Sequence, residues 1–265
     1  MPSSNTSPLD RQQRLATMAE YVLERGTLSV EDMAERYGVS TMTIYRDLAE
    51  LERSGVVTRT RGTVTARATS FSEASASFRS SLNTSIKQRL SQRAAEEVHA
   101  GSTIMLDDST TVLRMVPLID ERGPVTVVTH SLAVSNEASS LRSIRLFVSG
   151  GRYRSELDSL YGATTLATIR SLHADTCFMS TTALRGGQLY HPIEENVDLK
   201  RAMIESSSRS VLLLDSSKYG LGATHRVIGV EAFDLVITDT DAPREEIEIM
   251  RDAGVEVVLV DAVGS

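Results

Sequence analysis

The sequence predicts an α/β chain made of two unequal domains: a small N-terminal one of three helices and a hairpin, and a larger one in which helices cover a mostly parallel sheet. Its length of 265 residues exceeds one average domain. The first sixty-odd residues show helical apolar spacing and then a short β-forming hairpin. From Ile86 onward, apolar runs of four to six residues alternate with stretches of ten to twenty that carry helical patterns, as in a parallel sheet wrapped by helices.

Residues 1–10 are rich in Ser, Pro and Asn and lack the basic-then-apolar order of a secretory leader, so they read as a disordered tail. Leu15, Met18, Ala19, Val22 and Leu23 then recur at helical spacing, and Gly26 ends the run. Ser29 caps a second helix, with Asp32 three residues on in place of the usual Glu or Gln of a capping box. Met33, Ala34 and Tyr37 give that helix its apolar face, and Gly38-Val39 makes a tight turn. Ser40 caps a third helix running to about Ser54. Along it Ile44, Leu48 and Leu51 form one inward stripe, while Met42, Tyr45, Arg46, Ala49 and Arg53 point the other way. A thin apolar stripe backed by a cationic, hydroxyl-bearing face suits the DNA major groove, with Thr41, Thr43 and Tyr45 presented to bases or phosphates. After Gly55, residues 56–65 alternate β-formers around a basic turn and read as a two-stranded wing, with Arg59 and Arg61 reaching the backbone or minor groove. By spacing alone, a three-helix protein-interaction domain fits equally well.

The net charge of −7 looks wrong for a DNA-binding chain until it is divided. Residues 1–67 hold nine arginines and nine carboxylates, so residues 68–265 carry the whole excess. From Arg53 to Arg67 there are four arginines and no acid. A local basic strip is what phosphate contact requires, because counterion release depends on charge at the interface. No run of about eighteen apolar residues occurs, which excludes a transmembrane helix. The single cysteine, Cys177, sits in an apolar run and reads as a buried, inert thiol. These features together point to a cytoplasmic protein.

Residues 39–48, continuing through Leu51-Glu52 and Gly55 to the Arg61-Gly62 turn, resemble the helix-turn-helix signature of the DeoR family of sugar-responsive regulators, over about residues 11–66. That resemblance implies a winged helix-turn-helix gripping a double-stranded DNA operator, with Ser40, Thr41, Thr43, Tyr45, Arg46, Arg53, Arg59 and Arg61 as its DNA-binding residues. Two departures bear on which DNA sequence is preferred. Tyr45 stands where the family usually has a second arginine, and Gly62-Thr63-Val64 replaces a Gly-Gly-Ala wing end.

Residues 67–85, rich in Ser, Ala and Thr, read as a linker before an effector domain over 86–265. There, strands are expected at 103–107, 125–129, 144–149, 176–180, 211–215, 235–238 and 255–260, most of them continuous apolar runs. Ligands of such sheets bind past the carboxyl ends of the strands. Those ends carry Asp107-Asp108-Ser109-Thr110-Thr111, His130-Ser131, Gly150-Gly151-Arg152, Thr181-Thr182 and Ser216-Ser217-Lys218. A Ser-Thr-Thr loop entering a helix offers amides and hydroxyls to an anion. Lys218 adds a point charge and Arg152 a fork, and together these make a phosphate-plus-polyol site. Each element also has a plainer reading: the hydroxyls as helix caps, the glycines as a turn, Lys218 as solvated, Lys200 and Glu195 as surface charge.

The order Leu106-Asp107-x-Ser109-Thr110-Thr111, Thr129-x-Ser131, Gly150-Gly151, Glu195-x-x-x-x-Lys200 and Asp215-Ser216-Ser217-Lys218 resembles the effector domain of the same family, which is similar in fold to ribose-5-phosphate isomerase. It implies a Rossmann-like domain that senses a small phosphorylated sugar through Asp107, Ser109, Thr110, Thr111, His130, Ser131, Gly151, Arg152, Lys200 and Lys218. His130, Asp108 and Thr181-Thr182 depart from the family pattern and bear on the shape of the sugar pocket. The competing reading is an enzyme on this scaffold, a sugar-phosphate isomerase or deaminase. Such chemistry needs a general base, and 180–184 (Ser-Thr-Thr-Ala-Leu) holds no carboxylate, although Asp107, Asp108, Glu194 and Glu195 remain nearby. The five histidines show no metal-ligand spacing and no dinucleotide fingerprint occurs. The expectation is a DNA-binding regulator, acting as a homo-oligomer (dimer or tetramer), without catalytic residues, cofactor or metal.

Overall fold

The computed structural model describes residues 11–53, 55–66, 79–80 and 82–262. The chain divides into two compact units, Met1–Leu82 and Asn83–Ser265. The expected tail at 1–10, Ser54, Arg67 and most of the expected linker lie outside the described residues.

The first unit runs α1 (Arg11–Arg25), β1 (Thr27–Ser29), α2 (Val30–Tyr37), α3 (Thr41–Arg53), β2 (Val57–Thr60) and β3 (Thr63–Ala66). Leu15, Met18, Val22, Met33, Ile44, Leu48 and Leu51 close on one core with Val57 and Val64 from the hairpin, while the side chain of Leu23 lies outside the described residues. The Ser29 hydroxyl caps α2 by accepting from the Asp32 amide at 3.0 Å. Gly38 ends α2 at φ 63°, a left-handed conformation in which a side chain is strained. Asp47 on α3 is buried and accepts from Arg14 Nε at 2.7 Å and Arg11 Nε at 3.3 Å, tying α1 to α3. The wing has three strands rather than two, in the order β1-β3-β2. Thr27 pairs with Thr65 and Ser29 with Thr63; a three-residue strand is too short to show periodicity in sequence.

The second unit opens with α4 (Thr84–Ala95), so the helix begins inside the stretch read as linker. There follow β4 (Thr103–Leu106), a 3₁₀ turn (Val112–Met115), α5 (Val116–Ile119), β5 (Val125–Thr129), α6 (Leu132–Ala138), β6 (Ile144–Val148), β7 (Arg152–Arg154), β8 (Ser159–Tyr161), α7 (Ala163–Arg170) and β9 (Ala174–Met179). Then come β10 (Ala183–Arg185), β11 (Gln188–His191), α8 (Glu194–Glu205), β12 (Ser207–Leu214), β13 (His225–Gly229), β14 (Leu235–Asp239), α9 (Arg244–Asp252) and β15 (Glu256–Val260). All seven expected strands join one sheet, β15-β14-β12-β9-β4-β5-β6, and every pairing in it is parallel. One apolar core fills each face.

From β4 the chain winds outward through β5 to β6; from β9 it winds the opposite way through β12 and β14 to β15. The neighbours β4 and β9 are therefore the point at which strand order reverses, where the connections part and leave a crevice beyond the strand ends. A small antiparallel sheet, β10-β11-β13, and the β7-β8 hairpin are additions that the sequence did not suggest. Among the described residues no helix is long and apolar enough to cross a membrane. Cys177 is buried on β9 and burial pushes its thiol up to about 11, so it is inert at neutral pH.

Candidate functional site

The outward face of α3 is built as its spacing suggests. Thr41, Met42, Tyr45, Arg46 and Arg53 are exposed while Ile44, Leu48 and Leu51 are buried. Ser40 is spent on the helix: its hydroxyl accepts from the Thr43 amide at 3.2 Å and lies 3.0 Å from the Thr43 hydroxyl. Arg61 stands exposed at the wing turn, at φ 32°. Arg59, expected to grip phosphate, is occupied instead. Its Nε donates to Glu52 Oε2 at 2.8 Å, its amide to Glu52 Oε1 at 3.2 Å, and its Nη1 to the Tyr45 carbonyl at 3.3 Å. A carboxylate one helical turn from the wing satisfies the fork, so Arg59 braces wing to helix. The same bonds hold the Glu52 carboxyl below its ordinary value.

At the reversal point of the large sheet, Asp107 follows β4 with 0% exposure. Its Oδ1 accepts from the Ser109 amide at 2.9 Å, and its Oδ2 from the Ser180 amide at 3.0 Å and Lys200 Nζ at 2.5 Å. Lys200, on α8 and 2% exposed, also donates to the Ser180 carbonyl at 2.8 Å. This buried ion pair stitches the ends of β4 and β9 together, so Asp107 and Lys200 are a foundation with their bonds already filled, and the surface-charge reading of Lys200 falls. Ser109 Oγ accepts from the Val112 amide at 3.1 Å. The loop enters a short 3₁₀ turn rather than the α-helix expected, because the first α-helical turn begins only at Val116.

Beside this foundation stands a cation the strand-end reading missed. Lys87, on α4 and 3% exposed, donates to Thr110 Oγ1 at 3.1 Å. Asp215, following β12, accepts from Asn83 Nδ2 at 3.0 Å and from the Ser217 amide at 3.3 Å and its hydroxyl. Burial opposes the charge on Asp215, but Lys218, the Ser217 hydroxyl, Lys87 and Asn83 outweigh it and hold the carboxyl below its ordinary value. The chain has only three lysines, Lys87, Lys200 and Lys218, against twenty-five arginines, and all three meet at this one edge.

A second end, without a lysine, lies beside β5. Asp108 accepts from the Tyr161 hydroxyl at 2.6 Å and from Asn196 Nδ2 at 3.2 Å. His130 is 1% exposed, edge-on to Tyr161 with its Nε2 3.8 Å from Asp108, and neither ring nitrogen has a hydrogen-bond partner among the described residues. Burial lowers its pKa below the ordinary 6.5, against the pull of Asp108 and Asp107. The unfolded chain therefore takes up a proton as pH falls through about 6.5 while the folded chain does not, and stability present above that pH is lost below it. Melting temperature should fall between pH 7 and pH 5, and His130→Gln should flatten that fall; an unaltered profile in the variant would assign the pH sensitivity elsewhere.

The remaining expected residues are more peripheral. Ser131 caps α6 through the Val134 amide at 3.3 Å. Gly151, at φ 128°, packs so closely that a Cβ there would sit 2.0 Å from Thr165 Oγ1, which makes it a packing glycine. Arg152 is exposed on the β7-β8 hairpin and its Nη2 donates to Glu195 at 2.7 Å, with Arg154 on the other oxygen at 3.0 Å. Among the described residues no group of three or more His, Cys, Asp or Glu side chains is placed to hold a metal ion.

Residues 14–70 match the model of the DeoR-like helix-turn-helix domain and residues 82–240 that of the DeoR C terminal sensor domain. The chain is 30% identical to a candidate aga operon transcriptional repressor of Escherichia coli O157:H7, over 94% of this chain and 93% of the relative. It is 27% identical to the glycerol-3-phosphate regulon repressor of Escherichia coli strain K12, over 95% of this chain and 100% of the relative. Ribose 5-phosphate isomerase from Plasmodium falciparum aligns with 51% of this chain and 52% of its own, at 19% identity and a TM-score of 0.38, a likeness too low to speak for chemistry. With a DNA-reading unit and a sensor unit matched in order along one polypeptide, the chain belongs to the DeoR family of transcriptional regulators.

Proposed function

We propose that this regulator represses genes of carbohydrate metabolism and that a phosphorylated sugar, bound beyond the carboxyl ends of the large sheet, alters its grip on the operator. The observation that carries the reading is the convergence of all three lysines on that edge, in a chain that otherwise uses arginine. Lys87, Lys218 and the Thr110 hydroxyl form the anion-receiving end, with Ser109 and Thr111 beside them. His130, Asp108 and Ser131 face the polyol, Arg152 and Gly151 border it, and Asp107 with Lys200 keeps the loops in place. Relatives named for the aga operon and the glycerol-3-phosphate regulon support a carbohydrate effector.

The arrangement favours a sensor over a catalyst. The carboxylate at the centre, Asp107, is locked in an ion pair with two backbone donors and is unavailable as a base. On the DNA side, Thr41, Thr43 and Tyr45 read base edges while Arg46, Arg53 and Arg61 hold phosphates; the protein acts in the cytoplasm as a homo-oligomer that presents paired winged helices to half-sites. The ligand shifts DNA affinity only by its differential affinity for two arrangements, typically about 1–3 kcal/mol.

Thermal-shift measurement against a panel of phosphorylated sugars identifies the effector, since a specific ligand raises apparent stability by mass action. Lys218→Ala should leave ligand-free operator binding intact and abolish the response to the best hit. A variant that still responds at wild-type concentrations would move the phosphate site elsewhere.

A further inference from the structure

The large sheet ends on one side in β15 and on the other in β6. Native edge strands are normally protected by charge, proline or bulges against pairing with another chain. At β15, Glu256 opens the strand, and Arg89 Nη1 donates to the carbonyls of Asp261 and Ala262 just beyond its end. β6 carries a single charge, Arg145, and neither of the other guards: Ile-Arg-Leu-Phe-Val contains no proline, and its register with β5 runs without a bulge. Phe147 is 45% exposed on it, one of the few large apolar side chains so placed.

We propose that β6 is the self-association strand of the sensor unit, pairing antiparallel with β6 of a second copy about a two-fold axis through Leu146. The inference rests on the homo-oligomer reading above and gives it a location. The Ser143 carbonyl accepts from the Val125 amide at 2.9 Å and the Ser149 amide donates to the Thr129 carbonyl at 3.0 Å. Odd-numbered residues thus turn their backbone groups towards β5, and Ile144, Leu146 and Val148 turn theirs outward. A two-fold axis at Leu146 sets those three outward residues against their counterparts as hydrogen-bonded pairs, giving about six new backbone bonds. The same register is self-complementary in its side chains. Ile144 meets Val148, Leu146 meets itself, and the core that Ile144 and Leu146 border continues across the axis.

On the opposite face, where Arg145 and Phe147 are exposed, the register avoids setting Arg145 against Arg145. Each Arg145 instead faces the Phe147 ring of the other copy in a close, non-hydrogen-bonded pair, the geometry of a cation–π contact. Moving the axis one residue to Arg145 would set the two Arg145 side chains directly against each other. A symmetric dimer contact must satisfy that condition of self-complementarity.

Light scattering on the full-length chain at low micromolar concentration tests the register. The wild type should run as an even-numbered oligomer. Phe147→Arg puts a second guanidinium opposite each Arg145 and should halve the mass. Adding Arg145→Glu to that variant returns two ion pairs across the axis and should restore the wild-type mass, which separates loss of contact from loss of fold. A Phe147→Arg protein that keeps the wild-type mass, or a double variant that stays at half mass, overturns the placement on β6 while leaving the oligomer reading intact. A monomeric wild type overturns both.

Discussion

Replacing Lys200 with Met is expected to destabilise the sensor unit by about 3–5 kcal/mol, because it strands a buried carboxylate without its cation. Asp107 has 0% exposure and holds the β4 and β9 ends together through Ser109 and Ser180, so the loss lands at the reversal point of the sheet. For a unit of this size that corresponds to a fall in melting temperature of roughly 6–20 °C. Pairing the change with Asp107→Asn should recover part of the loss, since an amide needs no counter-charge. A single variant melting within about 2 °C of wild type would show that the pair contributes little.

Arg46→Ala should carry the largest cost on the DNA side. Arg46 is exposed on the outer face of α3 and has no hydrogen bond or ion pair with a described residue, so its guanidinium is available to a partner. If it grips phosphate, operator affinity should fall across all sequences and the slope of log affinity against log salt should drop by about 1. If it reads a base, the loss should be about 1–3 kcal/mol and confined to one position of the site. Gel shifts at several salt concentrations distinguish the two. Wild-type affinity and slope in the variant would remove α3 from the interface.

The seven strands of the main sheet were legible because strands buried on both faces are continuous apolar runs, such as Val211 to Leu214 on β12. The strands that were missed are short and antiparallel, among them Thr27–Ser29, Arg152–Arg154 and Ala183–Arg185. In the site, residues at strand ends could be read because parallel topology gathers those ends. Lys87, Asn83, Tyr161 and Asn196 come from helices and a hairpin, and linear order says nothing of how near they fall. Lys87 did leave a trace: it lies on the inward stripe of α4 with Leu90, Ser91 and Ala94, where a lysine is out of place unless something anionic answers it. The pairing of Arg59 with Glu52 was not legible because a basic turn looks the same whether its fork faces DNA or a glutamate seven residues back.

The scarcity of lysine has a practical corollary. Two of the three ammonium groups, on Lys87 and Lys200, are sealed from solvent, and Lys218 alone is partly open. Apart from the chain's own α-amino group, an acylating reagent has a single accessible lysine, and that lysine belongs to the proposed anion-receiving end of the effector site. Labelling of that one amine, followed by mass spectrometry, thus becomes a direct readout of whether the proposed site is occupied.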